Sequence, residues 1–373
     1  MRSPLGLYVH LPFCASRCAY CTFVTSTEEA LMPRTLAAVR REVESFARGG
    51  RRRLASLYLG GGTPSLVPPE SLEPVLAAVR DSFELPADAE FTLEANPDDV
   101  TPERLAGWRR LGVNRVSVGV QSFADDVLAM LGRRHSAAQA RSAVAALLEA
   151  GFAVSLDLIL GLPRLDESVL EATLADVVWL RPHHVSVYLL EMDKPHELAR
   201  LAARHPDLFP DADAAARQYL RAGRTLVAAG YRHYEVSNFA LPACQARHNT
   251  RYWRGQPVLA VGVAAHSQSG RRRWANLDDL TKYLEAVEAG RSPRAWSRRL
   301  DDDEALRERV MLGLRLARGV TSTMVRSCRT GTDAFGARLD EFLALGLARE
   351  TAGRVRLTPR GWLLSNELFE SLC

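Results

Sequence analysis

Between residues 5 and 190 the sequence repeats one pattern six times: an apolar run rich in β-branched residues, a loop, then an amphipathic stretch. The runs are Leu5–His10, Ser56–Gly60, Glu90–Ala95, Arg115–Val120, Ser155–Leu160 and His184–Leu190. Between them, Arg34–Phe46, Ser71–Phe83, Pro102–Leu111, Ala137–Ala150 and Glu167–Leu180 place apolar residues at three- and four-residue spacing, which is helical periodicity. Pro69 and Pro102 suit helix starts, Thr101 an N-cap, and Gly112 and Gly151 helix ends. Strands alternating with helices specify parallel βαβ units. That restricts this half of the chain to a partial (β/α) barrel or an open doubly wound sheet. Gly60–Thr63, Glu94, Gln121 and Asp157 all fall at or near the C-terminal ends of strands. In a barrel those ends converge on one face, so the barrel is preferred.

Beyond residue 195 the repeat stops. Ala214–Ala229 reads as a helix and Tyr234–Phe239 as a short strand, and the Pro/Arg/Ser-rich stretch 291–300 reads as a linker. Helical patterns follow at Asp303–Leu316 and Ala334–Leu345. Then come two short strands, Leu347–Glu350 and Val355–Leu357, around the Ala352-Gly353 turn, and a last helix over Thr358–Leu368. This order is similar to a winged-helix module. The expected organisation is an α/β chain with a partial (β/α)6 barrel over 1–195, an α+β segment over 196–295 and a winged-helix-like domain over 296–373.

Three of the six cysteines, Cys14, Cys18 and Cys21, fall in a C-x3-C-x2-C loop after the first strand, while Cys244, Cys328 and Cys373 are scattered. Three thiols in one short loop suit a metal centre better than a buried core. A structural zinc needs a fourth ligand; His10 or Cys244 could serve, but neither completes the paired C-x2-C arrangement usual for zinc. An iron–sulfur cube held by three cysteines keeps one iron open for a ligand.

C-x3-C-x2-C with Tyr20 before the last cysteine resembles the radical S-adenosylmethionine (SAM) superfamily. Gly60-Gly61-Gly62-Thr63-Pro64 looks like its GGE-type loop, whose bare backbone meets the methionyl amino group. The finer resemblance covers nearly the whole chain. It is to the branch of oxygen-independent coproporphyrinogen III oxidases and HemW-type heme chaperones. Tyr8-Val-His10, Glu94 in Glu-Ala-Asn-Pro, Gln121 in Gly-Val-Gln-Ser-Phe, Arg133 in Leu-Gly-Arg and Asp157 in Leu-Asp-Leu-Ile-Leu-Gly-Leu-Pro match that branch. The resemblance implies a [4Fe–4S] cluster on the three cysteines and SAM among Tyr8, Tyr20, Gly61, Gly62, Thr63, Glu94, Gln121, Arg133 and Asp157. Glu94 and Asp157 would take ribose hydroxyls or the amino group, and Gln121 and Arg133 the ribose and carboxylate regions, as carboxylate and guanidinium chemistry allows.

Within the branch, two features point to the chaperones. The oxidases carry a further cysteine two places after the third, where this chain has Phe23, and a longer segment before the cluster than the 13 residues here. His248-Asn249-Thr-Arg-Tyr252-Trp253 resembles the chaperones' H-N-x-x-Y-W motif, so the resemblance implies heme near His248, Asn249, Tyr252 and Trp253. Imidazole is a good axial ligand and the aromatics offer flat apolar faces. His266, His233 and Cys244 stay open as alternative ligands. The expected function is binding heme and delivering it to an acceptor hemoprotein, for instance a respiratory one. The scaffold would be able to cleave SAM but would have no coproporphyrinogen oxidase activity, and no catalytic residue is assigned. The alternative is the oxidase reaction itself.

The net charge is only +4, and the basic residues are nearly all arginine, Lys194 and Lys282 being the only lysines. No nucleic-acid partner is expected without a basic stripe. No stretch approaches the ~20 apolar residues of a membrane span. Arg2 and the run Leu5–Phe13 faintly mimic a signal peptide, but His10 and Pro12 break the run and no small-residue cleavage site follows. A cytoplasmic protein with reduced thiols is expected; peripheral membrane contact and a homodimer are compatible with it.

Overall fold

The computed structural model describes residues 4–328 and 334–372; Arg2 and Cys373 lie outside them. Six parallel strands, β1 (Leu5–Leu11), β2 (Arg52–Gly61), β3 (Glu90–Ala95), β4 (Arg115–Gln121), β5 (Ala153–Leu160) and β6 (His184–Leu189), stand side by side in chain order. The crossovers carry the helices α1 (Met32–Ser45), α2 (Pro69–Ser82), α3 (Pro102–Leu111), α4 (Asp125–Met130), α5 (Ala137–Glu149) and α6 (Glu167–Leu180). Local signals act where the sequence places them. Thr101 Oγ1 accepts the Arg104 N–H at the start of α3, and Gly112 ends that helix at φ 94°.

Register fixes the two faces of this sheet. Tyr58 pairs with Thr92, Ser117 with Glu94 and Ser155, and Asp157 with Gly119 and Ser186, so one face is polar. The alternate residues Leu57, Leu59, Leu93, Val116, Val118, Leu156 and Leu158 are fully buried and join α1–α6 in the main core. Burial of each such side chain stabilises the sheet–helix contact by ~1.5–3 kcal/mol.

Residues 196–299 extend the same sheet at both edges. After α7 (Glu197–Arg204) and α8 (Ala212–Ala228) comes a hairpin of β7 (Arg232–Glu235) and β8 (Asn238–Ala240), of which β8 pairs antiparallel with β6 and β7 forms the outer edge. The helix α9 (Arg247–Trp253) then leads to β9 (Val258–Val261), which pairs parallel with β1. The strands β10 (His266–Ser269), β11 (Arg272–Asn276) and β12 (Arg294–Arg299) continue antiparallel from it. The sheet ends in β12 on one side and β7 on the other and stays open, a partial barrel. The stretch read as a linker is thus largely the edge strand β12. Every residue of it is exposed, so no apolar alternation marked it, and its pairing with β11 alone defines it.

The winged-helix-like part comprises α11 (Asp302–Leu314), β13 (Val320–Thr321), α12 (Ser322–Cys328), α13 (Ala334–Ala344), β14 (Ala348–Thr351), β15 (Arg354–Leu357), α14 (Pro359–Leu363) and α15 (Ser365–Glu370), with α10 (Leu280–Glu288) preceding it on the barrel side. Its strands form a separate sheet in the order β13-β15-β14 over its own core. The last helix expected from sequence is broken at Leu364 into α14 and α15. The module is tied to the barrel by Val236 N–H to Arg315 O (2.9 Å) and Ala317 N–H to Tyr234 O (3.0 Å), while Trp362 Nε1–H to Leu314 O (2.9 Å) closes its own core.

One buried carboxylate fastens the β9–β11 extension to the barrel. Glu42 of α1 accepts from Gly262 N–H (2.8 Å), Asn276 Nδ2 (2.6 Å) and Tyr283 Oη (2.8 Å). Glu42→Ala leaves three donors without their acceptor and is expected to lower the unfolding free energy by about 2–4 kcal/mol. Glu42→Gln keeps an acceptor and is expected to lose less. Denaturant unfolding of the two variants checks the order.

Candidate cluster and SAM site

The cysteine loop is pinned at its base by β1. Ser26 N–H donates to Pro12 O (2.8 Å) and Cys14 N–H to Ser26 O (3.0 Å), so the chain leaves the strand and returns to it. At its far end Ala19 N–H reaches Leu131 O (3.1 Å), and Leu198 N–H of α7 reaches Ala19 O (3.1 Å). Cys14, Cys18 and Cys21 are half-buried free thiols. Burial raises the thiols of Cys14 and Cys21 above the usual cysteine value. Two donors face these sulfurs: Thr63 Oγ1 lies 3.5 Å from Cys14 Sγ, and Arg133 Nη1 lies 3.5 Å from Cys18 Sγ.

The glycine turn at the end of β2 closes against this loop. Gly62 N–H donates to Leu11 O (2.8 Å) and Thr63 N–H to Phe13 O (2.7 Å). A Cβ on Gly62 would stand 2.6 Å from the Pro12 carbonyl carbon, and Gly61 has φ 112°, so both positions require glycine.

Two carboxylates stand at the strand ends behind the turn. Glu94 accepts from Tyr58 Oη (2.7 Å) and from Gly61 N–H (3.1 Å). Desolvation raises its pKa to about 7, with Asp157 adding repulsion, against the lowering effect of the Tyr58 and Gly61 hydrogen bonds. Asp157 accepts from Ser117 Oγ (3.0 Å), and burial raises its pKa too. Gln121 follows a register shift between β4 and β5 and holds φ 69°, a left-handed backbone that an amide side chain adopts at a cost. Arg133 sits between these strand ends and the cysteine loop. Its Nη2 donates to Asn96 Oδ1 (2.7 Å) and Gly119 O (2.6 Å), and its buried Nε has no partner.

A cavity of about 670 Å³ opens over these groups. Cys14, Cys18, Cys21, Tyr20, Gly61, Gly62, Thr63, Glu94, Gln121, Arg133 and Asp157 all line it. Four unrelated loops therefore meet, as the strand-end positions predict. Sequence reasoning missed Tyr188, Arg315, Trp362 and Leu363 in the same lining. The last three belong to the C-terminal part, and no strand-end rule points to them.

The other residues expected at the site lie elsewhere. Tyr8 is one level deeper, with its Oη 3.3 Å from His10 Nδ1 and its ring 5.9 Å from that of Tyr58. His248 lies at the N-terminal ends of the strands, 1% exposed, with Nδ1 2.9 Å from Ser56 Oγ. The backbone N–H groups of Arg247 and His248 both donate to Glu90 (2.8 and 2.7 Å), which seats α9 as a plug in the barrel floor. Burial lowers the His248 pKa to about 3, so the ring is neutral, and its Nε2 is buried without a partner. Tyr252 contacts His248 with ring centroids 5.6 Å apart; Trp253 lies instead against Arg315, and Asn249 is half-buried on the same helix. Of the alternative ligands, His233 is stacked on Phe239 at 4.0 Å, Cys244 is half-buried, and His266 is exposed beside Trp296 on the edge strands.

The residues fit the implied groups. Cys14, Cys18 and Cys21 would each hold one iron of a cube, so their sulfurs need not converge on one point. Among the described residues no set of three His, Cys, Asp or Glu side chains converges as a single zinc ion requires. The Arg133 and Thr63 donors suit thiolate sulfur. The glycine turn and the carboxylates of Glu94 and Asp157 suit the amino and hydroxyl groups of SAM. Cys18→Ser is expected to abolish the brown cluster absorbance and lower iron content several-fold in anaerobically reconstituted protein. Glu94 supplies a pH test in the protein without cofactors. Its folded pKa lies above the 4.5 of the exposed side chain, so the folded state holds an extra proton. The stability it contributes is complete below pH 4.5 and lost as pH rises through about 7. Relative to Glu94→Gln, the wild type is expected to lose roughly 3 kcal/mol over that window. Denaturation at pH 4.5 and 8 measures it.

Comparison with known proteins shows the family. Residues 8–177 match the radical SAM superfamily model and residues 300–364 the HemN C-terminal domain model. Heme chaperone HemW of Mycobacterium tuberculosis H37Rv is 37% identical, the match covering 99% of this chain and 95% of that protein. Heme chaperone HemW of Escherichia coli K12 is 33% identical over 98% and 97%. The mitochondrial radical S-adenosyl methionine domain-containing protein 1 of Bos taurus is 37% identical over 85% and 74%. Coproporphyrinogen III oxidase (HemN) of Escherichia coli shares the fold, with a TM-score of 0.84 at 24% identity over 99% of this chain and 90% of that one. The chain belongs to the radical SAM superfamily and, within it, to the HemW family.

Proposed function

We propose that this protein is a heme chaperone that binds a [4Fe–4S] cluster, SAM and heme and hands heme to an acceptor hemoprotein. The observation that carries the reading is the end-to-end match: proteins named heme chaperone HemW align over 99% of this chain at 37% identity. Phe23, 67% exposed, stands where the resemblance gives the oxidases their further cysteine. Cys14, Cys18 and Cys21 would hold the cluster, and the glycine turn with Glu94, Gln121, Arg133 and Asp157 would hold SAM. A reduced cluster, when bound, supplies the electron that splits the SAM sulfonium.

The protein's own groups suit the cluster and SAM. The Arg133 cation and the Thr63 hydroxyl offset negative charge on the thiolates. Glu94, with a pKa of about 7, can accept or donate a hydrogen bond near neutral pH. In this reading the acceptor is a respiratory hemoprotein and the protein works in the cytoplasm as a homodimer with peripheral membrane contact. No helix among the described residues is long and apolar enough to cross a membrane.

Anaerobic reconstitution followed by heme titration, with and without SAM, tests the reading beside a coproporphyrinogen III assay. Iron and sulfide in about a 4:4 ratio per chain, heme binding, and no vinyl-group formation are expected. Robust decarboxylation of coproporphyrinogen, or zinc in place of iron and sulfide, would overturn it.

A further inference from the structure

Besides the cluster and SAM residues, the cavity is lined by groups of a different chemistry. Tyr188, Leu190, Trp362 and Leu363 supply aromatic and aliphatic surface there. Tyr188 is 42% exposed although it sits on the inward-facing row of β6, so its exposure is towards the cavity. Among the same lining groups is Arg315, from the turn after α11. Its guanidinium lies over two rings, 5.3 Å from the Trp253 centroid and 4.9 Å from that of Phe369. Among the described residues it has neither a side-chain hydrogen bond nor an ion pair, and its Nε is buried without a partner. Glu235, fully buried nearby, does not neutralise it completely, because its own desolvation raises its pKa to about 7.

A cation half withdrawn from water, packed against two rings, with Glu235 beside it and no hydrogen bond from its own side chain among the described residues, can take a ligand carboxylate. The surrounding apolar and aromatic surface suits a broad planar ligand. We propose that the cavity lining around Arg315 is the heme seat, with a heme propionate on the Arg315 guanidinium. The proposal rests on the heme reading above and names its site. It also gives the His248–Trp253 motif a different part. Trp253 buttresses Arg315 from behind, and His248 secures the helix that carries Trp253 by docking it on Ser56, while the Glu90 carboxylate holds the start of that helix. His248 itself, 1% exposed in the barrel floor, does not touch the ligand.

The test uses the full-length holoprotein, reconstituted anaerobically, with hemin, hemin dimethyl ester and SAM as separate titrants. Arg315→Gln is expected to weaken hemin binding at least tenfold and Arg315→Lys less, with cluster absorbance and SAM affinity unchanged. Esterifying the propionates is expected to weaken binding to the wild type by a similar factor and to make no difference to Arg315→Gln. His248→Ala is expected to keep the wild-type hemin spectrum if the variant retains its cluster. Equal hemin affinity in wild type and Arg315→Gln would overturn the proposal, as would an ester penalty of the same size in both. Loss of SAM instead of hemin would reassign Arg315 to the SAM carboxylate. The ester comparison on the wild type needs no variant to fold: no ester penalty there refutes the propionate contact. A wild type that binds no hemin at all refutes the heme reading and this site with it.

Discussion

The mouth of the barrel depends on one desolvated carboxylate. Glu94 leaves β3 towards the polar face of the sheet and finds two donors there, the Tyr58 hydroxyl and the Gly61 N–H. The first ties β3 to β2. The second fixes the glycine turn, which in turn zips onto the cysteine loop through Gly62 and Thr63. A buried carboxylate without such donors would cost several kcal/mol. The partial compensation visible here leaves its pKa near neutrality instead of near 4.5. The same arrangement therefore aligns the loop that bears the thiols and leaves a carboxyl group ready to exchange partners with a ligand. Position and chemistry come from a single pair of hydrogen bonds.

How much of this was legible in the sequence follows from the range of the forces involved. The six parallel strands were readable because each runs between a turn and an amphipathic helix, and because burial on both faces of the sheet selects β-branched residues. The caps at Thr101 and Gly112 are contacts within one turn of chain, and their residue types announce them. The cysteine loop was readable because its spacing is local. In contrast, β9 docks on β1 from a distance of some 250 residues, and β12 has no buried face at all. Nothing within a short window encodes either, since long-range pairing defines both.

The floor of the barrel illustrates the same limit at the level of the site. His248-Asn249-Thr-Arg-Tyr252-Trp253 is a local motif, so the sequence shows it plainly, but its environment is set by residues far away. Glu90 caps the helix, Ser56 holds one imidazole nitrogen, and Tyr8, Tyr58 and Tyr252 surround the ring. Desolvation then keeps the imidazole neutral far below its usual titration range. In the folded chain this motif, rich in metal-ligating and aromatic residues, lies at the end of the barrel opposite the cysteine loop.

That motif and the C-terminal module meet at Arg315. The chain reaches this residue by a β-bridge between Glu235 and Leu316 and by backbone bonds from Val236 and Ala317, so barrel edge and module share one hydrogen-bonded seam. Trp253 from the floor helix and Phe369 from the last helix then face the same guanidinium. The cavity lining is therefore set in one part by short, local chain turns around the thiols and in another by contacts between distant segments. Because backbone bonds join the barrel edge to the C-terminal module on either side of Arg315, the position of its guanidinium depends on both parts at once.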